Sequence, residues 1–256
     1  VQKMWPNDTA RMSSMSIIEE SSPKMVRMSN LAVIGSHTVN GVAMIHTKLL
    51  KSLLFPDFLL MWPEKFINVT NGVTPRRWLL QANPALASIY TGMVGPGWVN
   101  DLKRLEPIKT MAQDPQFRQR WRAAKQTNKQ ALAEWLHRSM NIRVDPNALF
   151  DMQVKRIHEY KRQLLNVLGI VHRYAEITQA TPEQRKNMVP RVHIIAGKAA
   201  PGYVMAKNLV MLVCAVSEVV NSDAACRDLL KVVFVPNFNV SLAEILIPAS
   251  DISQHI

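Results

Sequence analysis

Short apolar runs alternate with helical patterns through the second half of the chain. Strands are predicted at residues 148–154, 192–196 and 230–235, because each run is short and almost continuously apolar. Helical patterns follow them through Leu164, Leu165, Leu168 and Val171, through Val204–Val220 and through Ser241–Ile247. Apolar strands that alternate with helices predict an α/β fold with a doubly wound parallel sheet. Such a sheet usually has more than three strands, so we expect this one to be incomplete.

The first half of the chain has a less regular pattern. The first thirty residues are polar and broken, which is typical of a loop or surface segment. The apolar run Leu31–Ile34, followed by apolar positions at helical spacing, predicts a strand-to-helix or a helix-to-helix unit. Residues 55–66 are rich in proline and aromatic side chains and are predicted to form a connector. The pair Asn71-Gly72 predicts a turn with positive φ, and Thr74-Pro75 predicts the start of a helix.

The composition is that of a globular protein, with 256 residues of which 48% are hydrophobic and 20% charged. Its unusual property is a formal net charge of +12. Nucleic-acid binders often carry such a charge, but here the basic residues are spread out, and a basic cleft for phosphate-bearing small molecules fits equally well. Cys214 and Cys226 form no disulfide framework, so a reducing compartment is expected. The apolar stretch Tyr203–Val220 contains Lys207 and Glu218, which favours a helix of the fold over a membrane span.

The strongest chemical feature is the run from Lys155 to Arg162, whose sequence is Lys-Arg-Ile-His-Glu-Tyr-Lys-Arg. It follows a predicted parallel strand, and ligands of open α/β sheets bind at the carboxyl ends of strands. Its cations also lie where the next helix begins, and the helix dipole disfavours positive charge at that end. A bound anion relieves this repulsion, so the run predicts a phosphate site, with a solvated basic turn as the alternative.

Other loops and histidines give weaker signals. Gly35–Gly41 and Gly197-Lys198 match no known phosphate-binding loop, and each is either a ligand loop or a tight turn. The histidines show no metal-ligand spacing, so no metal site is predicted. His193 lies inside a predicted strand and is expected to be a core residue.

Several segments, in this order along the chain, resemble the glycogen and starch phosphorylases, the α-glucan phosphorylase family. They are residues 35–43, 70–78, 150–163, 197–203, 240–244 and 247–251. The segment 150–163, Phe-Asp-Met-Gln-Val-Lys-Arg-Ile-His-Glu-Tyr-Lys-Arg-Gln, is the most specific. The resemblance runs from about residue 24 to the end of the sequence.

The resemblance implies a glycosyltransferase-B arrangement, in which two Rossmann-like domains face each other across a cleft. Residues 1–70 would be the tail of the amino-terminal domain, and residues 71–256 the first half of the carboxy-terminal cofactor domain. The implied activity is that of a glycosyltransferase: phosphorolysis of α-1,4-glucans to glucose 1-phosphate, with the phosphate of pyridoxal 5'-phosphate as the acid–base partner. The lysine that carries this cofactor is expected beyond Ile256, and the chain alone is expected to be inactive.

The resemblance also implies roles for particular residues. The implied catalytic residues are Arg156 and Lys161, which hold the substrate phosphate, His158 and Tyr160, which line the glucosyl pocket, and Asn71, which contacts the glucosyl unit. The implied cofactor contacts are Lys155, beside the cofactor phosphate, Trp78, near its ring, and the positions of Phe238 and Asn239. Many relatives have Tyr in place of Phe238 and some have Arg in place of Asn239, so the details of cofactor contact differ there.

The implied partners are an α-1,4-glucan and inorganic phosphate, without nucleic acid or membrane, and the full-length enzyme is expected to be a homodimer. A cytoplasmic location is expected, with a plastid as the alternative. Two other functions remain open. A nucleotide-sugar-dependent glycosyltransferase of the same architecture would place an acidic residue against a ribose, and a basic nucleic-acid-binding domain would bind DNA with a strong dependence on salt.

Overall fold

A computed structural model describes residues 1–255, and the chain divides within it into unit 1, Val1–Val73, and unit 2, from Thr74 onward. Unit 1 is made of short elements: α1 (Thr9–Met15), β1 (Ile18–Glu19), β2 (Met25–Val26), α2 (Met28–Gly35), β3 (Val39–Gly41), α3 (Met44–Leu49), α4 (Pro56–Met61) and β4 (Phe66–Asn68). Its core consists of Met15, Val33, Phe58 and Phe66. The pairs β1–β2 and β3–β4 are antiparallel and parallel, respectively.

Several expectations for unit 1 are wrong in detail. The polar first thirty residues include α1, because Asp8 accepts a hydrogen bond from the Arg11 amide at 2.9 Å and so caps the helix. Of the two alternatives for Leu31–Ile34 the helix is confirmed and the strand is not, since this run lies in α2. The proposed connector at residues 55–66 contains α4, whose first residue, Pro56, is well suited to a helix start.

The predicted positive φ at Asn71-Gly72 is also wrong, because neither residue has a positive φ. The chain continues instead beside β3, where the Val69 amide donates to the Gly41 carbonyl at 3.0 Å and the Asn71 amide donates to the Val42 carbonyl at 2.9 Å. These bonds bring residues 41–42 and 69–71 side by side within unit 1.

Unit 2 begins with helices. A π-helical turn at Arg76–Gln81 leads into α5 (Pro84–Val94), and 3₁₀ turns at Pro96–Val99 and Leu102–Gln113 lead into α6 (Pro115–Met140). Asn83 caps α5 by accepting from the Leu86 amide at 3.3 Å, and it also accepts from the Asn128 side chain of α6 at 2.9 Å. One buried amide therefore joins the two helices.

A parallel sheet with the helices between its strands forms the rest of unit 2. Its elements are β5 (Leu149–Val154), α7 (Gln163–Gln179), α8 (Pro182–Lys186), β6 (Arg191–Ala196), α9 (Val204–Ser222), β7 (Leu230–Val235), α10 (Val240–Ala249) and β8 (Ile252–Ser253). The strand order is β7-β6-β5-β8. The predictions of β5, β6 and β7 and of their parallel pairing are confirmed, whereas the short β8 was not predicted.

Helices cover both faces of this sheet because the strand side chains alternate between two cores. Residues of α6 and α10 pack on one face, against Phe150, Met152 and Ile194. Residues of α7 and α9 pack on the other face, against Ile195 and Val232. Helix α9 has the length and mean hydropathy, 1.5, of a membrane-spanning helix, but its residues Val213 and Val220 are buried in the second core.

The helix predicted after β5 is confirmed, but the four apolar residues of its pattern do not face the sheet. Leu164, Leu165, Leu168 and Val171 are all exposed, while α7 packs on the sheet through a different set, Val167, Ile170 and Ile177. Both sides of α7 carry apolar residues, so its pattern does not reveal which side faces the sheet.

A buried lysine connects α6 to the start of β5 and to the turn between α10 and β8. Lys129, 6% exposed, donates from Nζ to the Ala148 carbonyl at 2.7 Å and to Asp251 Oδ2 at 2.6 Å. The same carboxylate oxygen accepts from the Phe150 amide at 2.8 Å. The ion pair therefore fixes the turn that returns the chain to the edge of β5.

We expect Lys129→Met to lower the free energy of unfolding of unit 2 by about 3 kcal/mol, because it leaves the Asp251 carboxylate partly buried without its cation. Arg138→Gln is the control: Arg138 and Glu134 are exposed, and such pairs contribute at most about 1 kcal/mol. Urea unfolding of both variants measures the difference, and equal stabilities would contradict the assigned role of Lys129.

Candidate functional site

The register of the sheet brings three loops together at one edge. Val154, Ala196 and Val235, the last residues of β5, β6 and β7, are neighbours across the sheet. The loops that follow them, residues 155–162, 197–203 and 236–239, therefore leave the sheet side by side. The basic run thus begins at the carboxyl end of a parallel strand, as predicted.

The basic run also follows the strand at which the winding of the sheet reverses. The chain passes from β5 to β6 and β7 on one side, and then crosses to place β8 on the other side of β5. In open α/β sheets the connections diverge at such a point and leave a crevice at the carboxyl ends, where ligands bind.

Backbone contacts to the neighbouring loop hold the first half of the basic run. The Lys155 amide donates to the Ala196 carbonyl at 3.0 Å, and the Ile157 amide donates to the Lys198 carbonyl at 3.2 Å. A Cβ on Gly197 would lie 2.0 Å from the Lys155 carbonyl oxygen, so this close approach requires glycine. The Ile157 side chain, 4% exposed, anchors the loop in an apolar cluster with residues of α9.

Buried amide side chains hold the second half of the run. Gln163, 1% exposed, donates from Nε2 to the Arg156 carbonyl at 3.1 Å and accepts from the His158 amide at 3.3 Å. Gln153 donates to the Lys161 carbonyl at 3.0 Å. Because the backbone is fixed on both sides of the turn, the side chains of Arg156 and Lys161 start from defined positions.

Three aromatic rings lie close together where the basic run meets the loop 197–203. The His158 ring is 4.4 Å from the Tyr160 ring and 5.0 Å from the Tyr203 ring, centroid to centroid. Glu159 is the acid of the basic run, and its carboxylate accepts a hydrogen bond from the Tyr203 hydroxyl. That bond is the main reason why the pKa of Tyr203 is raised. The acid is thus engaged by a neutral partner and does not pair with the cations.

The cations of the loop oppose one another. Burial lowers the pKa of Lys155, and the nearby charge of Lys161 lowers it further. Helix α7 begins directly after the run, and its N-cap residue, Arg162, makes no side-chain capping bond. Lysine side chains, an exposed guanidinium at Arg156 and helix N–H groups together form a donor set that suits a phosphate.

Arg162, the fourth cation of the run, faces a different cavity from the other three. Arg162 has a left-handed backbone, with φ 58°. Its side chain lines a different cavity, together with Asp151 and His193. The structure therefore separates Arg162 from the other cations of the run.

The expected cofactor contacts lie on elements next to this edge. Trp78 is half-buried in the π-helical turn, and the neighbouring Arg77 forms an ion pair with Glu244 of α10. Phe238 packs against the core of the sheet. Asn239 caps α10 by accepting from the Leu242 amide at 3.1 Å and donates to the Asn237 carbonyl at 2.9 Å. The segment around Trp78 and the segment around Asn239, which lie far apart in sequence, are thereby joined through α10.

Asn71 belongs to unit 1, where it is exposed and follows β4. Sequence reasoning missed Gln163, Gln153 and the pairing of Tyr203 with Glu159. The signal for Gln153 was a polar side chain inside a predicted apolar strand, since a buried amide must find hydrogen-bond partners. Gln163 gave no such signal.

Comparison with known proteins identifies the family. The family model described as carbohydrate phosphorylase matches residues 1–256. The chain is 49% identical to glycogen phosphorylase 2 of Dictyostelium discoideum, with 100% of the chain and 25% of that protein covered. It is 49% identical to the α-glucan phosphorylase H isozyme of Solanum tuberosum, over 98% of the chain and 30% of that protein.

A bacterial relative agrees with these. The chain is 46% identical to glycogen phosphorylase of Chlamydia trachomatis, with 100% of the chain and 31% of that protein covered. The chain thus spans about a quarter to a third of the length of these relatives. It matches them over the unit 1 segments and the basic run alike, and it belongs to the carbohydrate phosphorylase family.

Proposed function

We propose that this chain supplies the phosphate-binding loop of an α-1,4-glucan phosphorylase, a glycosyltransferase that releases glucose 1-phosphate. The observation that carries the proposal is the basic loop after β5, fixed at the strand edge where the winding reverses, in a chain of this family. The two-domain glycosyltransferase-B arrangement is part of the proposal. Residues 1–70 then belong to the amino-terminal domain, and residues 71–256 to a Rossmann-like cofactor domain.

Arg156 and Lys161 are proposed to hold the substrate phosphate, and Lys155 to lie beside the phosphate of the cofactor. The mutual repulsion of Lys155 and Lys161 supports this assignment, because two phosphate groups close together need several cations to offset their own repulsion. An anion bound there stabilises the charged form of Lys155 and raises its pKa.

The donor set fits pyridoxal 5'-phosphate, since its phosphate needs cations and helix N–H groups of the kind found at this edge. When bound, the cofactor supplies a phosphate that exchanges a proton with inorganic phosphate. Lys155 would hold the cofactor phosphate and Trp78 its ring. Asn239 uses one amide hydrogen for the Asn237 carbonyl, which leaves the second for the cofactor.

The chain's own residues then position and neutralise the reacting groups. Arg156 and Lys161 orient the substrate phosphate and stabilise the negative charge on it as the glycosidic bond breaks. His158 accepts the Tyr160 amide at Nδ1, at 3.4 Å, so its Nε2 carries the proton and can donate to a sugar hydroxyl. Tyr160, 58% exposed, offers its ring and hydroxyl to the same sugar, and Asn71 is proposed to contact it from unit 1.

Location and assembly are also proposals. Relatives of this chain are named as cytosolic in Arabidopsis thaliana and as chloroplastic or amyloplastic in Ipomoea batatas. We propose the cytoplasm or a plastid as its compartment, inorganic phosphate and an α-1,4-glucan as its substrates, and a homodimer as the state of the complete enzyme.

Arg156→Ala and Lys161→Ala test the proposed function in protein expressed from the complete open reading frame that contains this chain. Each removes a charge-assisted contact to a dianion, so we expect kcat/KM for phosphate to fall about a hundredfold. Arg162→Ala is the control, because Arg162 lines a different cavity, and we expect its activity to stay within about threefold of wild type. Normal phosphorolysis in both test variants would refute the assignment.

Gln163→Met tests whether the buried amide positions the loop. It keeps the side-chain volume but leaves the Arg156 carbonyl and the His158 amide without their partner. We expect the KM for phosphate to rise about tenfold. The kcat, measured at saturating glucan and phosphate, should change by a smaller factor than KM. Leu164→Met, at the exposed neighbouring position, is the control. A stable Gln163→Met enzyme with an unchanged KM would show that the amide has no positioning role.

A further inference from the structure

The cavity that Arg162 lines, together with Asp151 and His193, lies under α7. Its volume is about 470 Å³, and it is lined by polar residues of β5, β6 and α7 and by the chain after β8. Lys155, Arg156 and Lys161 do not line it. It is large enough for a small organic ligand, since ligand cavities start at about 300 Å³.

The imidazole of His193 faces this cavity without a hydrogen bond. His193 is 4% exposed, and within residues 1–255 both of its ring nitrogens lack a partner. The nearest acidic oxygen, Asp151 Oδ2, is 3.7 Å from Nδ1. Burial lowers the pKa of His193 to about 4, and the charges of Arg191 and Arg173 add to this effect while Asp151 opposes it. The ring is therefore neutral, with one N–H donor that has no acceptor.

Two guanidinium groups around the cavity are also incompletely paired. Within the described residues, the buried Nε atoms of Arg173 and Arg191 have no hydrogen-bond partner. Arg173 donates from Nη2 to the Val189 carbonyl, and Arg191 Nη1 lies 3.6 Å from Asp151 Oδ2. Buried donors of this kind are costly unless an acceptor satisfies them.

The acidic residues nearby do not supply that acceptor. Asp151 Oδ1 already accepts from Gln254 Nε2 at 2.6 Å, and Glu176 Oε1 lies 3.5 Å from the exposed His172 ring. Across the cavity, the guanidinium groups of Arg162, Arg173 and Arg191 outnumber the carboxylates of Asp151 and Glu176. The lining therefore favours a ligand that carries only acceptors and a negative charge.

We propose that this cavity binds a phosphate group, free or in a small monoester, through N–H groups of His193, Arg173 and Arg191. The tetrahedral oxyanion offers enough acceptors for all three donors, and charge-assisted bonds of this type are the strong ones. Of loop residues 155–162 only Arg162 lines this cavity. Arg162 is neither one of the three donors proposed here nor a proposed ligand of the first phosphate, so either assignment stands or falls without the other.

The test uses the complete protein with Arg156→Ala and Lys161→Ala combined, so that phosphate binding at the first loop is removed. Isothermal titration calorimetry with inorganic phosphate, and separately with glycerol 3-phosphate, is expected to show one remaining site. His193→Leu and Arg173→Gln are each expected to weaken it about tenfold or more, since each removes one donor to a charged ligand. Arg138→Gln, an exposed arginine on α6, is the control and is expected to leave binding unchanged.

The two ligands identify the source of the phosphate group: tighter binding of glycerol 3-phosphate assigns a monoester, and tighter or equal binding of inorganic phosphate assigns the free ion. Thermal unfolding confirms that each variant is folded, and a variant that does not fold is replaced by His193→Phe or Arg173→Lys. Absence of the remaining site, or an affinity in both folded cavity variants equal to that of the parent protein, would overturn the proposal. So would a structure of the complete protein in which a carboxylate from elsewhere in the chain pairs with His193 and Arg173.

Discussion

Repulsion between like charges at the end of β5 is the constraint on which the candidate site depends. Burial lowers the pKa of Lys155, and the nearby charge of Lys161 lowers it further. A loop free to move would separate the two lysines. Here the backbone is bonded to the next loop at Lys155 and Ile157 and to Gln163 and Gln153 at its other turn, so the repulsion persists. A bound anion offsets it without unfolding the loop and keeps both lysines charged.

The fold provides this rigidity through its parallel register. Because the last residues of β5, β6 and β7 are aligned, the loop at Gly197 lies close enough to accept hydrogen bonds from the basic run. The crossover through α10 places β8 on the far side of β5, and Lys129 fixes that turn through Asp251. The two proposed phosphate sites therefore border the same strand, one at the carboxyl end of β5 and the other on its α7 face.

The sequence predicted the main strands and the place of the basic run, because continuous apolar segments and a cationic cluster are local signals. It did not predict β8, whose two residues carry no pattern. The sequence also did not show which face of α7 packs on the sheet, because Leu164 and Leu168 are as apolar as Val167 and Ile170. Contacts such as Arg77–Glu244, separated by 167 positions, leave no local trace at all. His193 was expected to be a core residue, and it is buried, but its lack of a partner depends on neighbours that only the folded chain brings together.

The central claim is that the basic loop after β5 is held ready for a phosphate anion, and the pKa of Lys155 reports on it directly. In the complete protein, ¹³C-methylated lysines followed by NMR across a pH titration, with Lys155 assigned from a Lys155→Arg variant, give this pKa with and without inorganic phosphate. The account predicts a pKa below that of an ordinary lysine in the absence of phosphate, and a clear rise when phosphate is added. An ordinary pKa that phosphate leaves unchanged would contradict it.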